Sequence, residues 1–131
     1  MLQQFAMQKK NVKLVASLGM IRYLSAVKYS RFVLGNSSSG IIEAPALGTP
    51  TVNIGDRQKG RLMADTIISC APKKEDIIAA MRLADKTEHK VSTIYGDGNT
   101  AEKIVSVMKD FLLHDRINLK KTFYDMEIAN E

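Results

Sequence analysis

The fold is decided by one stretch, Arg31-Phe32-Val33-Leu34-Gly35-Asn36-Ser37-Ser38-Ser39-Gly40-Ile41-Ile42-Glu43-Ala44. Residues 31–34 predict a buried strand that stops at Gly35, and residues 39–44 predict the start of a helix. A polar loop between a strand and the next helix lies at the carboxyl edge of a parallel sheet, where α/β proteins bind their ligands.

The rest of the chain repeats this alternation of strands and helices. Further strands are predicted at residues 12–16, 51–54 and 66–70, and further helices at residues 20–29, 74–85 and 100–113. The helix at 20–29 carries Ile21, Leu24 and Val27 at helical spacing. Because the strands are mostly continuous and apolar, we expect a parallel sheet with helices on both faces. The predicted fold class is therefore α/β and Rossmann-like.

Length and composition indicate a globular chain. It has 131 residues, of which 45% are hydrophobic and 25% charged, as in ordinary folded proteins. We expect a single domain over residues 1–131, with a lead-in at residues 1–11 and a C-terminal helix or arm at residues 114–131. The one cysteine excludes an internal disulfide. Without an apolar run of about 18–20 residues or a signal peptide, a cytoplasmic protein with no membrane partner is expected.

The net charge of +5 comes from 19 Lys+Arg against 14 Asp+Glu. The cations are spread along the chain beside acids, which is typical of a solvated surface. With no Trp, four Tyr and four Phe, the chain has few side chains on which bases stack. No nucleic-acid partner is expected, and the charge fits a small polyanion.

The serine segment, residues 35–40, predicts an anion site. Helix N-termini attract phosphate through free N–H groups, Gly35 and Gly40 permit close approach, and three serines supply hydroxyl donors. Plain N-capping is the alternative, but it needs only one serine. The pattern is neither a Walker loop nor the dinucleotide glycine pattern.

Glu43 follows the serine segment and has two interpretations. As a first-turn carboxylate it favours a helix by about 0.3–1 kcal/mol. Just beyond a phosphate site, it would instead accept hydrogen bonds from the hydroxyls of a ribose. Pro45 requires that the helix be short or kinked at that position.

A second polar stretch follows the strand at 51–54. This basic loop, residues 55–61, reads Gly55-Asp56-Arg57-Gln58-Lys59-Gly60-Arg61. Its three cations suit a mobile loop that closes on a diphosphate or a sugar, because arginine forms a planar fork for phosphate oxygens. An exposed basic loop without function is the equal alternative.

No metal site is expected. The stretch Tyr95-Gly96-Asp97-Gly98-Asn99-Thr100 resembles the start of a calcium loop, but acids are missing at the later ligand positions. It is better explained as a turn and helix cap, with Asn99 and Glu102 at capping-box spacing. His89 and His114 have no ligand-spaced neighbours, and Cys70 is interpreted as a packing residue.

Three motifs together carry a family resemblance. They are Gly35-Asn36-Ser37-Ser38-Ser39-Gly40-Ile41-Ile42-Glu43-Ala44-Pro45, Leu47-Gly48-Thr49-Pro50-Thr51-Val52-Asn53-Ile54-Gly55-Asp56-Arg57-Gln58-Lys59-Gly60-Arg61 and Tyr95-Gly96-Asp97-Gly98-Asn99-Thr100-Ala101-Glu102-Lys103-Ile104. The chain resembles the UDP-N-acetylglucosamine 2-epimerases from about residue 12 to residue 113. It is most similar to the hydrolysing branch, which releases UDP and N-acetylmannosamine for sialic acid synthesis.

The resemblance implies a set of nucleotide contacts. It assigns Ser37 and Ser38 to the diphosphate, assisted by Ser39, Gly40 and Arg57. It assigns Glu43 to the ribose hydroxyls, and it places the uracil against the backbone around Leu18. No cofactor is implied, and UDP or UDP-N-acetylglucosamine is the expected ligand.

The resemblance covers only the C-terminal half of a two-domain, glycosyltransferase-B-like fold. The family's acids and bases for proton abstraction, UDP elimination and water addition come mostly from the N-terminal domain, so no catalytic residue is identified. We expect a truncated chain, a gene fragment or one subunit of a split enzyme, which binds UDP weakly, is inactive alone and self-associates. The alternatives are the donor domain of a UDP-sugar glycosyltransferase and a non-catalytic nucleotide-binding module.

Overall fold

Three parallel strands form the sheet in the part of the chain that the structure describes. In the computed structural model, which describes residues 1–114 and 120, strands β1 (Val33–Gly35), β2 (Thr51–Ile54) and β3 (Ile67–Cys70) lie in the order β1-β2-β3. Register pairs Leu34 with Val52 and Val52 with Ile68. The α/β class and the parallel sheet are therefore confirmed, and β2 has the predicted bounds.

Five helices accompany the sheet in the described residues. They are α1 (Leu2–Gln8), α2 (Gly19–Lys28), α3 (Glu43–Ala46), α4 (Lys74–Ala84) and α5 (Thr100–Leu113). Helix α1 lies in the region expected to be a lead-in, and the arm predicted at 114–131 lies outside the described residues apart from positions 114 and 120. The chain divides into two compact units, Met1–Tyr95 and Gly96–Glu131.

Both faces of the sheet are covered in the first unit. On one face, Val52 packs against Ala80 and Ala84 of α4, joined by partly buried side chains of which Ile68 and Cys70 belong to β3. On the other face, Thr51 contacts the serine segment. Alternation along β2 thus gives one face to the core and the other to the segment that carries the candidate site.

The strand predicted at residues 12–16 is wrong. The structure gives these residues no strand, and Leu14 and Val15 are 54% and 52% exposed. A β-branched run forms a strand only where a neighbouring strand and a packed face receive it. Because β1, β2 and β3 are the only strands of the described sheet, this run has no such partner.

The helix predicted from Ser39 onward is also wrong in form. The chain makes a three-residue 3-10 turn, Ser38–Gly40, and then a separate four-residue helix, α3. Pro45 lies in α3 and has no N–H to donate to the preceding turn. The helix is therefore short, as the sequence predicted for this position, and is separate from the turn at Ser38–Gly40. The apolar stripe of α2 is likewise only partly buried, since Val27 is buried and Ile21 is 77% exposed.

The second unit holds α5, whose predicted bounds are confirmed. Its start is stabilised by Asp97, which accepts hydrogen bonds from the Asn99 amide at 3.0 Å and the Lys103 ammonium at 2.9 Å. The Lys103 contact lowers the pKa of the Asp97 carboxyl below its ordinary value. Asn99 makes no side-chain cap, so the cap predicted for Asn99 is wrong, and Asp97 instead fixes the turn that precedes α5. No helix in the described residues has the length and apolarity to cross a membrane.

Candidate functional site

The serine segment lies at the carboxyl end of β1, as predicted. The backbone is extended at Ser37 and then turns through Ser38–Gly40, with Ser37 Oγ accepting the Ser39 amide at 3.4 Å. Ser37 and Ser38 are exposed. Both residues are therefore accessible from solvent rather than packed in the core.

Among the three serines, Ser38 is the one whose hydroxyl is not engaged by another residue of the described chain. No residue of the described chain accepts or donates a hydrogen bond with its hydroxyl or accepts from its amide N–H. Since the turn is only three residues long, an anion there would be held by such individual donors rather than by a helix macrodipole. The helix N-terminus predicted to begin at Ser39 is therefore wrong, and a three-residue 3-10 turn stands in its place.

Ser39 is engaged by a residue that sequence analysis missed. Its hydroxyl lies 2.5 Å from the Tyr23 hydroxyl of α2, and α2 is fixed near its end by a buried bond from Thr49 Oγ1 to the Val27 carbonyl at 3.0 Å. A half-buried tyrosine needs a hydrogen-bond partner for its hydroxyl. Tyr23 lies four residues before Val27, on the same side of the helix, and this spacing was the available signal.

Gly40 is buried beneath the turn. A Cβ atom at Gly40 would lie 2.8 Å from Thr51 Cγ2, and the backbone there does not adopt positive φ. Gly40 is therefore required for close packing of the turn on β2 rather than for an unusual conformation. This contact holds the serine segment against the sheet.

An open cavity lies at the start of α2. Its volume is about 450 Å³, and Leu18, Gly19 and Tyr23 are among the residues that line it. Leu18 is the residue before α2 and is 37% exposed. Because Tyr23 both lines the cavity and contacts Ser39, the structure brings the surroundings of Leu18 next to the serine segment.

Glu43 is the first residue of α3 and is exposed. Within the described residues its carboxylate has no hydrogen-bond or ion-pair partner. It follows the serine segment by three positions, so an acceptor group lies close in sequence to the exposed serine hydroxyls. The ribose role of Glu43 stays a prediction, as do the diphosphate roles.

The basic loop is joined to the serine segment by Gln58. Gln58 Nε2 donates to the Asn36 carbonyl at 2.8 Å, and Gln58 is only 3% exposed. Arg57 and Lys59 on either side are exposed. The two polar stretches that the sequence placed at neighbouring strand ends are thus in contact, through a residue to which sequence analysis gave no role.

Cys70 ends β3 and is half-buried against the core formed with α4. Burial raises the pKa of its thiol, and the negative charge of Asp76 adds to the rise. In the described residues, no three His, Cys, Asp or Glu side chains form a group that would hold a metal ion.

Alkylation of Cys70 tests that environment. Because the thiolate is the reacting form, a raised pKa predicts that iodoacetamide at pH 8 modifies this single cysteine more slowly than free cysteine. The rate should climb to that of free cysteine on addition of denaturant. A native rate equal to that of free cysteine would contradict the burial of the thiol.

The fold and the site define a class: parallel α/β proteins whose polar loops gather at the carboxyl edge of the sheet. Within this class, residues 1–109 match the family model for UDP-N-acetylglucosamine 2-epimerase. The chain belongs to the UDP-N-acetylglucosamine 2-epimerase family, and the predicted resemblance is confirmed.

Similar proteins come from several bacteria. Polysialic acid biosynthesis protein P7 of Escherichia coli is 36% identical over 110 residues, covering 79% of this chain and 28% of that protein. UDP-N,N'-diacetylbacillosamine 2-epimerase (hydrolyzing) of Legionella pneumophila is 35% identical over 115 residues, covering 87% of this chain and 30% of that protein. GDP/UDP-N,N'-diacetylbacillosamine 2-epimerase (hydrolyzing) of Campylobacter jejuni is 55% identical over 56 residues, covering 43% of this chain and 15% of that protein. The chain thus spans less than a third of the length of these relatives.

Proposed function

We propose that this chain is the UDP-binding C-terminal part of a hydrolysing UDP-N-acetylglucosamine 2-epimerase. The whole enzyme would eliminate UDP from the nucleotide sugar and add water, releasing N-acetylmannosamine. The groups that move protons would belong to the part of the enzyme that this chain does not contain. This chain would contribute the residues that bind the nucleotide.

One observation carries the proposal: an open cavity is connected to a turn that carries exposed serine hydroxyls. Tyr23 lines the cavity around Leu18 and bonds to Ser39 in the serine segment. A nucleoside diphosphate needs a base site and a phosphate site joined by a short ribose. The link through Tyr23 supports a base site and a phosphate site that lie next to each other, and Glu43 follows the serine segment in the chain.

Some residues of the serine segment would bind the diphosphate, and others would hold the turn in shape. Ser38 offers a free hydroxyl and a free amide N–H, and the exposed Ser37 hydroxyl lies beside it. Ser39 and Gly40 shape the turn, since one is bonded to Tyr23 and the other is buried on Thr51. Arg57 would add the positive charge that the short turn lacks.

The ribose hydroxyls would donate to Glu43. A carboxylate accepts two such bonds from neighbouring hydroxyls, and the Glu43 carboxylate is exposed and unpaired among the described residues. The uracil would lie against the backbone around Leu18. Its edge carries N–H and C=O groups that backbone amides recognise in the same way as they pair with one another.

A second candidate substrate is UDP-N,N'-diacetylbacillosamine. The Legionella pneumophila relative carries this compound in its name. The Campylobacter jejuni relative, 55% identical over its matched segment, is named for the GDP and UDP forms of the same sugar. The two nucleotide sugars differ in the sugar and share UDP. The nucleotide contacts proposed for this chain would therefore serve either substrate.

Titration separates the nucleotide proposal from its competitors. The chain should bind UDP measurably by calorimetry or by NMR shifts, and uridine more weakly. A random single-stranded oligonucleotide should not compete at physiological salt. No UDP binding, together with steep salt-dependent binding of the oligonucleotide, would favour a nucleic-acid module instead.

Activity of the isolated chain is expected to be absent. Pure chain incubated with UDP-N-acetylglucosamine should release neither UDP nor N-acetylmannosamine, because the proton-transferring groups are proposed to lie elsewhere. Release of N-acetylmannosamine by this chain would contradict the division between the two parts. With the missing part supplied, release of N-acetylmannosamine without an acceptor selects an epimerase, whereas dependence on an acceptor selects a glycosyltransferase.

Exposed apolar side chains favour association of this chain with another copy of itself or with an N-terminal domain on another chain. Met20, Ile21 and Leu34 are 75%, 77% and 46% exposed in the first unit. Contiguous exposed apolar surface favours association. Light scattering that shows only monomer at high concentration would count against self-association.

A further inference from the structure

Gln58 has the opposite environment to the residues around it. Its side chain is 3% exposed, whereas Arg57 and Lys59 are exposed. Its Nε2 atom donates to the carbonyl of Asn36, 22 positions earlier, at 2.8 Å. Asn36 immediately precedes Ser37, so the bond reaches the backbone of the serine segment itself.

Two contacts fix the basic loop on either side of Arg57. The Gly55 amide donates to the Cys70 carbonyl at 2.8 Å, which holds the start of the loop to the end of β3. Gln58 then holds the next part to Asn36. Because Arg57 lies between these two points, its backbone has little freedom to move away from the serine segment.

The chemistry of Gln58 indicates that its amide has a purpose besides filling space. Its Oε1 atom is buried and has no hydrogen-bond partner in the described residues. A buried amide with an unpaired oxygen is unfavourable, and a methionine of similar length would fill the same space without that cost. The amide nitrogen, bonded to Asn36, is what a methionine could not replace.

We propose that Gln58 is a positioning residue that holds Arg57 in reach of a diphosphate bound at the serine segment. The inference rests on the proposed UDP site and adds to it a residue that does not touch the nucleotide. Gln58 acts through Arg57, so it contributes to the recognition of phosphate and not to that of the nucleoside.

The test compares UDP with uridine in the full chain. Gln58→Met should raise the Kd for UDP about three- to tenfold, the range expected from the loss of one hydrogen bond, and leave uridine binding unchanged. Gln58→Glu should weaken UDP binding further, because its oxygen faces the Asn36 carbonyl. Gln8→Met, the same change at an exposed position, is the matched control and should have no effect.

An Arg57→Ala background shows whether Gln58 acts through Arg57. In that background, Gln58→Met should no longer change the UDP affinity, since its effect requires the guanidinium. A loss of uridine and UDP affinity by the same factor, or an undiminished effect without Arg57, would overturn the positioning role and leave Gln58 as a packing residue.

Hydrogen exchange without nucleotide keeps this inference separate from the UDP proposal. In the ligand-free chain, Gln58→Met should speed amide exchange both in residues 36–38 and in residues 56–60, with an unchanged Tm. If the wild-type chain does not bind UDP, the proposed function fails. Faster exchange in both segments of the variant would still support the clasp, which is the hydrogen bond by which Gln58 joins the basic loop to Asn36. Unchanged exchange in residues 36–38 would overturn the clasp whether or not UDP binds.

Discussion

Arg57→Ala is expected to raise the Kd of the chain for UDP about ten- to hundredfold. A hydrogen bond to a charged group contributes about 1.5–3 kcal/mol, and about 1.4 kcal/mol corresponds to a factor of ten. Arg57 is exposed and has no ion-pair partner among the described residues. Its guanidinium is therefore available to a phosphate without first breaking another contact. Calorimetric titration of both proteins with UDP measures the ratio.

Lys59→Ala is the matched control for Arg57→Ala. Both changes remove one positive charge from exposed positions of the same loop, so both weaken the general attraction for an anion equally. Only Arg57 is assigned a direct phosphate contact, and we expect Lys59→Ala to change the UDP affinity less than about threefold, as for loss of a screened surface charge. Equal losses for the two variants would mean that net charge, not a placed guanidinium, governs the binding. Uridine affinity should be the same in all three proteins.

The elements that sequence predicted well are those specified by local pattern. β2 is continuous and buried, and α5 is amphipathic over its whole length, so both have the predicted bounds. The strand expected at residues 12–16 fails because β structure depends on a neighbour that the pattern does not contain. The helix expected from Ser39 fails because Pro45 has no N–H for a continuous helix. The sequence shows this conflict but does not show where the helix breaks.

The location of the candidate site was predictable, and its internal division was not. Topology alone places the serine segment and the basic loop at one edge of the sheet. Which serine is free depends on Tyr23, 16 positions before Ser39, and which loop residue reaches the serine segment depends on Gln58. Such contacts join residues far apart in sequence, and no local spacing encodes them.

The different contacts of the three serines also suggest how a diphosphate would be held although the helix after the serine segment is short. The sequence pattern predicted a helix N-terminus at Ser39, but α3 has four residues and begins only after the turn. Binding would then depend on the turn keeping its shape when empty, because an ordered donor set avoids the entropy cost of ordering on binding. The packing of Gly40 against Thr51 is one of the contacts that keep the turn in place.

Gly40→Ala is therefore expected to lower the free energy of unfolding by about 1–3 kcal/mol, the usual cost of overpacking a tight contact. The new methyl group would lie 2.8 Å from Thr51 Cγ2, and both residues are buried. Thr51 is β-branched and cannot rotate the methyl away freely. Urea unfolding followed by circular dichroism measures the loss, and UDP affinity should fall with it as the turn is displaced.

The compensating change identifies the cause. Thr51→Ser removes the methyl group that Gly40→Ala meets and keeps the hydroxyl. Alone it should cost about 1 kcal/mol for the lost buried methyl. In the double variant the alanine methyl enters the space that threonine vacated, so the total volume is conserved. The double variant should be more stable than the sum of the single losses predicts, by about 1–2 kcal/mol, within the range seen for residues in contact. Strict additivity would show that the strain at Gly40 arises elsewhere than at Thr51, and the serine segment would then owe its position to a different contact.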